Sequence, residues 1–433
     1  MAKKNFLKII LLTGDIALMY FVLFLTLTIR PGNINLFLIH FSIIYLFWLL
    51  ILFIFDFYEI SYVKRTTDFF RKLGLFLIFA TAFSIAYFYL QPELAIAPKT
   101  ILFLYLLIFT FLFSCWRYFF TSLLRLKNLK EKVIIVGDCE REKGLQDFLS
   151  SIQGNGYEVI SLISNASQLE VVEKKEVDLI VLTADFYKNK KLIHQFFSKL
   201  PFDANYISFI DFYESLTGKI FVDTLDEIWF FENVFRQESK INQILKRGFD
   251  LFFTLLGLLI AIILFPLIAL SIKIDSPGPV IYSQKRIGKN GKVFILYKFR
   301  TMVVDAEKDG PQWTRENDSR ITRVGKILRA LHLDELPQLY NILRGDISFI
   351  GPRPERPEFV FLLKKEIPYY DIRHLVKPGL TGWAQIKYHY GASVEEAKEK
   401  LKYELYYLKN QSLALDLVIF LKTIQLLLIK VLK

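Results

Sequence analysis

Two adjacent carboxylates, Asp334 and Glu335, mark the most chemically suggestive stretch of this 433-residue chain, LDELPQLYNILRGDISFIGPRP at residues 333–354. Proline is tolerated only in the first turn of a helix, so Pro337 predicts a helix that starts at about Asp334, with Asp334 as its N-cap. Read alone, the pair is an ordinary helix start, one residue capping and the other complementing the dipole. The neighbouring cations change that reading. Arg329 precedes the pair by about one turn, and Arg353 sits between two prolines in GPRP. A helix N-terminus attracts phosphate oxygens through its free N–H groups and dipole, and guanidinium groups grip phosphate bidentately. A carboxylate among such groups stays ionised and can serve as a nucleophile. Its neighbour can bind Mg²⁺, which takes one or two carboxylates together with substrate phosphates.

More basic residues lie upstream. In SPGPVIYSQKRIGKNGKVFILYKFRTM, residues 276–302, the stretch from Gly288 to Gly291 reads as a hairpin turn between two short strands. Strand alternation then places Lys298 and Arg300 on one face, where two cations suit two phosphates. Arg320, Arg323, Lys326 and Arg329 recur every three residues, which predicts one cationic helix face. Like charges so arranged repel unless an anion or nearby carboxylates compensate.

Apolar segments must carry this site. Hydrophobic residues make up 53% of the chain and its mean hydropathy is +0.34, too apolar for a purely soluble protein. Four runs, near 9–29, 36–55, 73–90 and 100–120, approach the roughly 20 residues that cross a hydrocarbon core, and predict four transmembrane helices. The first run is too long for a cleavable signal peptide and is expected to remain as an anchor. Lys3, Lys4 and Lys8 flank the start, Lys64, Arg65, Arg71 and Lys72 fill the second connection, and Arg125, Lys127, Lys130 and Lys132 follow the fourth run. The positive-inside rule puts the N-terminus and everything after residue 125 on the cytoplasmic side. A fifth run, at 249–274, precedes another basic stretch that opposes export, and Pro266 falls in its second half. Proline's missing N–H predicts a broken, re-entrant helix that returns to the cytoplasmic face. The last run, from Ser412, is interrupted by Asp416, Lys422, Gln425 and Lys430 and reads as an interfacial amphipathic helix or a packed core helix. Trp383 and the tyrosines at 403–407 are candidate headgroup-level aromatics.

Between the two apolar regions, β-like runs at 133–137, 177–183 and 204–210 alternate with helix-compatible stretches, the pattern of a small parallel α/β domain. After Gly137 come Asp138, Cys139, Glu140, Arg141 and Glu142, so the second and third glycines of a dinucleotide loop are missing. A regulatory, dimerising or spacer role is therefore expected, and a homodimer is a plausible assembly. Cys115 and Cys139 have neither metal-ligand nor disulfide spacing and are expected to be buried thiols. A net charge of +12 fits phosphate-rich ligands or an anionic lipid surface, and nucleic acid is not an expected partner.

The expected fold is thus a mixed membrane protein in three parts. Residues 1–125 form four transmembrane helices, 126–238 a degenerate Rossmann-like α/β domain, and 239–433 a mainly α monotopic catalytic domain with a re-entrant helix. From about 240 onward the chain resembles the bacterial sugar transferase family, the monotopic polyprenyl-phosphate hexose-1-phosphate transferases. The resemblance is carried in order by KRGFD at 246–250, the Pro266 helix, SPGPVIYSQKRIG, YKFRTM, LDELPQLYNILRGD, GPRP and KPGLTGWAQ at 377–385. Four helices followed by an α/β domain also resemble the long-form members that initiate exopolysaccharide, capsule or O-antigen synthesis.

The resemblance implies that Asp334 attacks the β-phosphate of a nucleoside diphosphate sugar. UMP leaves, and undecaprenyl phosphate then takes the sugar phosphate from the enzyme. It implies Glu335 as the Mg²⁺ ligand, phosphate-holding roles for Lys298, Arg300, Arg329 and Arg353, and a place in the bacterial inner membrane with the catalytic domain on the cytoplasmic face. Two alternatives remain. A membrane-anchored nucleotide-sugar dehydratase or epimerase would need the NAD loop that is missing, and a polysaccharide-export scaffold would leave the ordered motifs unexplained.

Overall fold

The computed structural model describes residues 2–31, 34–59, 66–91, 99–126, 130–137, 156–163, 177–183, 186–187, 189–197, 204–222, 225, 227–235, 239–306, 308, 310, 318–388 and 393–431. The chain divides into two compact units, Met1–Phe212 and Tyr213–Lys433.

The first unit begins with four helices, α1 (Ala2–Ile29), α2 (Ile34–Ile54), α3 (Thr66–Tyr89) and α4 (Lys99–Leu126), each long and apolar enough to cross a membrane. They are held by an aromatic interior in which Trp48, Phe76, Tyr105 and Phe109 are fully buried. Without a hydrophobic drive between helices in lipid, shape and polar contacts must fix the register. The hydroxyls of Tyr45 and Tyr105 both donate to Met19 O, at 3.0 and 3.1 Å, and a buried Asp15–Arg117 ion pair ties α1 to α4. Arg117 also donates to Phe57 O at 2.7 Å. Cys115 is exposed on α4, not buried as expected. Every face of such a helix is apolar, so hydrophobicity does not distinguish its inside from its outside. Cys139 lies outside the described residues.

A parallel sheet follows, ordered β2-β1-β3-β4, from β1 (Glu131–Val136), β2 (Tyr157–Ile163), β3 (Leu179–Leu182) and β4 (Asn205–Ser208), with α5 (Lys190–Phe197) packed on it. The parallel α/β arrangement is as expected. β2 was hidden because Glu158 and Ser161 interrupt its apolar pattern, and residues 209–210, read as strand, begin α6 (Phe209–Thr217). Gly137 has φ +117°, and a Cβ there would collide with Thr183 Oγ1. The eroded glycine sequence after it lies outside the described residues.

In the second unit, α7 (Glu227–Asn233) leads to α8 (Lys240–Asp275), a 36-residue helix about 54 Å long at 1.5 Å per residue. Segments before α8 pack with this unit: Phe230 shares a core with Val360 and Leu401, and Lys409 pairs with Glu214. α8 stays in helical conformation through Pro266. Proline removes only the one bond that its N–H would have given the carbonyl four residues earlier, and the flanking turns keep theirs. The buried positions Asp250, Thr254, Ala261, Ile268 and Ile272 recur in steps of four and seven and form one seam along the helix. Large apolar side chains, including Leu255, Leu259, Ile263, Leu267 and Leu270, are exposed on the remaining surface.

The hairpin of β5 (Ile281–Ile287) and β6 (Val293–Phe299) turns through a 3-10 segment, Lys289–Gly291, where the Gly288–Gly291 turn was expected. After it come α9 (Arg323–Ala330), α10 (Gln338–Arg344), β7 (Ser348–Ile350), α11 (Pro357–Glu366), β8 (Gly379–Thr381), α12 (Trp383–Lys387), α13 (Val394–Lys409) and α14 (Leu413–Val431). α14 turns two of its polar residues, Asp416 and Gln425, inward. Asp416 is buried against Lys246 at 2.6 Å and Gln425 is also buried, so these residues do not form the polar face of an interfacial helix. Trp383 is buried too, donating to Gly218 O at 2.6 Å and stacked on Tyr406, and Tyr407 is fully buried. These rings serve the core and not a headgroup belt.

Candidate active site

The dyad is positioned differently from the sequence expectation. Asp334 and Glu335 lie in a 3-10 turn, Leu333–Glu335, and Pro337 takes the N-cap position of the short α10. Asp334 is therefore not the cap. Competition between the turn and the proline decides this: Pro337 cannot donate, and the chain closes one tight turn before the helix begins. His332 starts that turn in the left-handed region at φ +55°, a conformation a non-glycine residue adopts only under local constraint.

Lys298 Nζ and Arg353 Nη2 both donate to Glu335 Oε1, at 2.7 and 2.6 Å. Glu335 Oε2 accepts no hydrogen bond among the described residues, and neither oxygen of Asp334 does. Both carboxylates are buried. Burial raises the pKa of each, but the charges of Arg353 and Lys298 outweigh it at Glu335 and hold that carboxyl well below the usual range. At Asp334 burial prevails, reinforced by the negative charge of Glu335 against the pull of Lys298, and the pKa is raised. Burial also lowers the pKa of Lys298, with Arg353 adding to the effect and Glu335 opposing it. Adjacent carboxylates are thus pushed apart, one a fixed anion and the other a more basic carboxylate.

Three supports set this geometry. β6, which carries Lys298, is registered against α10 by Asn341: its Oδ1 accepts from Tyr297 N at 3.1 Å and its Nδ2 donates to Ile295 O at 2.7 Å. Around Arg353, Gly351 N donates to Thr381 O at 2.9 Å and Gly379 N to Pro352 O at 2.8 Å, so the GPRP corner is bonded to KPGLTG just past the parallel pairing of β7 with β8. A Cβ on Gly351 would strike Lys377 O, which explains glycine at this backbone crossing. Finally, Arg373 Nη2 donates to Arg353 O at 2.8 Å while its guanidinium is buried in a bidentate pair with Glu404, at 2.6 and 2.8 Å.

The remaining cations separate. Arg329 donates through Nε to Thr301 Oγ1 at 2.8 Å, and its terminal nitrogens make no hydrogen bond among the described residues. Its charge acts on Asp334. Arg300 leaves the site: strand pairing ends at Phe299, and its guanidinium donates to Ser276 O at 2.8 Å and to Pro277 O at 2.5 Å. Gly278, at φ +119°, leaves room for that guanidinium. Arg320 precedes α9 and pairs with Asp318 at 2.6 Å, so only Arg323, Lys326 and Arg329 of the expected series belong to the helix. Pro266 is not among these groups; it lies within α8, between the buried positions Ala261 and Ile268.

KRGFD is a set of staples. Lys246 donates to Ile350 O at 3.1 Å and to Tyr407 Oη at 3.0 Å, besides its pair with Asp416. Arg247 caps α10 through Ile342 O and Leu343 O, at 2.7 and 2.8 Å, and Asp250 Oδ1 accepts from Ser348 Oγ and Phe349 N, at 2.8 and 2.9 Å. Sequence reasoning did not find Asn341, Arg373 or Glu404 as supports. Asn341 sat unremarked in LYNILRGD, and the other two are isolated charges in ordinary helical surroundings whose only signal is spatial.

The sequence profile of the family described as bacterial sugar transferase matches residues 241–430. A UDP-N-acetylgalactosamine-undecaprenyl-phosphate N-acetylgalactosaminephosphotransferase of Aeromonas hydrophila is 45% identical over 216 residues, 49% of this chain and 49% of the relative. An exopolysaccharide production protein of Rhizobium leguminosarum bv. phaseoli is 42% identical over 187 residues, 42% of this chain and 94% of the relative. The UDP-glucose:undecaprenyl-phosphate glucose-1-phosphate transferase of Escherichia coli K12 is 40% identical over 189 residues, 43% of this chain and 40% of the relative. The chain belongs to the bacterial sugar transferase family. Its matched stretch spans about half the length of the Aeromonas relative.

Proposed function

We propose that the protein transfers a hexose-1-phosphate from a UDP-sugar to undecaprenyl phosphate, the first membrane step in building an exopolysaccharide, capsule or O-antigen. The observation that carries this reading is the asymmetry of the dyad: Glu335 is locked by two cations through one oxygen, while the carboxylate of Asp334 beside it accepts no hydrogen bond among the described residues. In the first step an Asp334 oxygen bonds to the β-phosphorus, the bond from that phosphorus to the bridging oxygen breaks, and UMP leaves with the electron pair. In the second, an oxygen of the lipid phosphate bonds to the same phosphorus and Asp334 departs as a carboxylate. Neither step needs a proton, which suits a site built from fixed charges.

Arg329 and Arg353 would hold substrate phosphates, Arg329 through its two uncommitted nitrogens. Lys298 would hold Glu335 and share the donor's charge. Arg300, committed to Ser276 and Pro277, would act by fixing the end of α8. Mg²⁺ would be held by Glu335 through Oε2, a free hard oxygen in a setting where one or two carboxylates plus phosphates suffice. When bound, the ion would offset the charge of the diphosphate.

A re-entrant placement of α8 on the cytoplasmic face of the inner membrane is part of this proposal. The buried seam touches the same unit from end to end: Asp250 binds Phe349, Ala261 packs by Leu339, Ile272 packs by Phe299, and Asp275 Oδ2 accepts from Val324 N at 2.9 Å. A perpendicular crossing would draw the charged hairpin and α9 through a roughly 30 Å hydrocarbon core. One-sided insertion keeps the dyad at the depth of a lipid phosphate.

The experiment is turnover of the purified full chain with Mg²⁺, undecaprenyl phosphate and a panel of UDP-sugars. UMP release that requires both the lipid and a particular sugar is expected. Release of UDP, or conversion of the sugar with its UDP retained, would replace this reading with another.

A further inference from the structure

α14 brings one cation to His332, two residues before Asp334, that the reaction above has not used. Asp416 pairs with Lys246, and further on Phe420 packs against Phe249 and Phe253, with ring centroids 5.9 and 4.2 Å apart. The contacts ascend together along both chains, so α14 runs parallel to α8, in the direction α8 takes away from KRGFD. Leu417 and Leu426 are exposed along the way. Lys430 lies on the last turn, about 21 Å beyond Asp416 at 1.5 Å per residue. There its Nζ is 3.5 Å from His332 Nε2, two residues before Asp334. Among the described residues Lys430 has no carboxylate partner.

Lys298, Arg353 and Arg329 act on the dyad itself, and a further cation lies beside it at His332. Lys298 and Arg353 come from the hairpin and GPRP and are both bound to Glu335. Lys430 comes from α14, a helix with exposed leucines, and has no carboxylate partner among the described residues. We propose that Lys430 is the residue that receives the phosphate of the lipid acceptor, and that His332, in its constrained left-handed turn, places the ammonium group over the Asp334 side of the dyad. This inference rests on the reaction proposed above and assigns one of its substrates to one residue. A lysine there matches a phosphate monoester that arrives along an apolar surface: the stem packs with the helix while the head stays at headgroup level.

Lys430→Gln tests the assignment, with the two half-reactions measured separately on the full chain in lipid nanodiscs. Hydrogen bonds to a charged partner are worth enough to predict that kcat/KM for undecaprenyl phosphate falls about tenfold or more. The single-turnover burst of UMP without lipid acceptor should keep its rate and its dependence on UDP-sugar, and Lys430→Arg should restore most of the loss. An unchanged kcat/KM for undecaprenyl phosphate in Lys430→Gln, or an equal loss in the acceptor-free burst, overturns the assignment. Absence of any burst in the unmodified protein would instead overturn the reaction on which the assignment rests.

Discussion

Arg353 donates to Glu335 across 2.6 Å, although seventeen residues and a change from 3-10 turn to parallel strand lie between them. The pair joins the two halves of the site, the DELPQ turn and the GPRP corner. Its partner oxygen also receives Lys298, so one carboxylate oxygen fixes three segments relative to each other.

Glu335 and Asp334 should respond in opposite ways to neutralisation. The folded pKa of Glu335 is depressed, so its ionised form stabilises the fold above the ordinary carboxylate pKa, and that contribution is lost as pH falls through the folded value. Glu335→Gln at neutral pH takes the carboxylate charge away from Lys298 and Arg353 and is expected to cost about 1–3 kcal/mol, read as a lower Tm. The folded pKa of Asp334 is raised, so its stabilising form is the protonated one, present at low pH and lost as pH rises through the folded value. Asp334→Asn should therefore melt at or above the wild-type temperature. A large fall in Tm for Asp334→Asn would show that its carboxylate is a structural tie.

The same directions shape the pH profile of the donor half-reaction. The proposed reaction requires ionised Asp334, and its raised pKa places the acid limb above the range of an ordinary aspartate. Burial lowers Lys298, so the alkaline limb should start below the range of an exposed lysine. Stopped-time UMP release across pH checks both limbs. An acid limb at or below the usual aspartate pKa would contradict the burial argument.

Glu404→Gln is expected to disable the enzyme without touching the dyad. It leaves Arg373 as a half-paired buried cation, which typically costs about 3–5 kcal/mol, and it loosens the hold on Arg353 O. Where enough folded protein survives at low temperature, KM for UDP-sugar should rise. A variant with normal KM would mean that Arg353 keeps its place without Arg373.

Much of this was written in the sequence, because local chemistry and short spacings report on themselves. The glycine turn announced the hairpin, the apolar runs gave the membrane helices, and DE, GPRP and the lysine of KFRTM meet as expected. Longer-range competition was not legible. Pro337 displaced the helix start by three residues, Arg300 was claimed by carbonyls of SPGP, and α14 turned Asp416 inward because Lys246 awaited it some 170 residues earlier. At Pro266 the chain stays helical, because a single missing donor does not undo a helix whose seam is packed on both sides of it.

Topology provides an independent check. A reporter fused after residue 280 should give a cytoplasmic signal, since both ends of α8 are bonded to the same unit. A periplasmic signal there would mean that α8 crosses and that the proposed placement is wrong.

The central claim is that Asp334 becomes covalently attached to the sugar phosphate. Incubating the full chain with its UDP-sugar and Mg²⁺ without lipid, quenching, digesting and sequencing by mass spectrometry tests it directly. The account predicts a hexose-phosphate adduct on the peptide containing Asp334, discharged when undecaprenyl phosphate is added and absent from Asp334→Asn. An adduct on another residue, or undiminished turnover by Asp334→Asn, would contradict it.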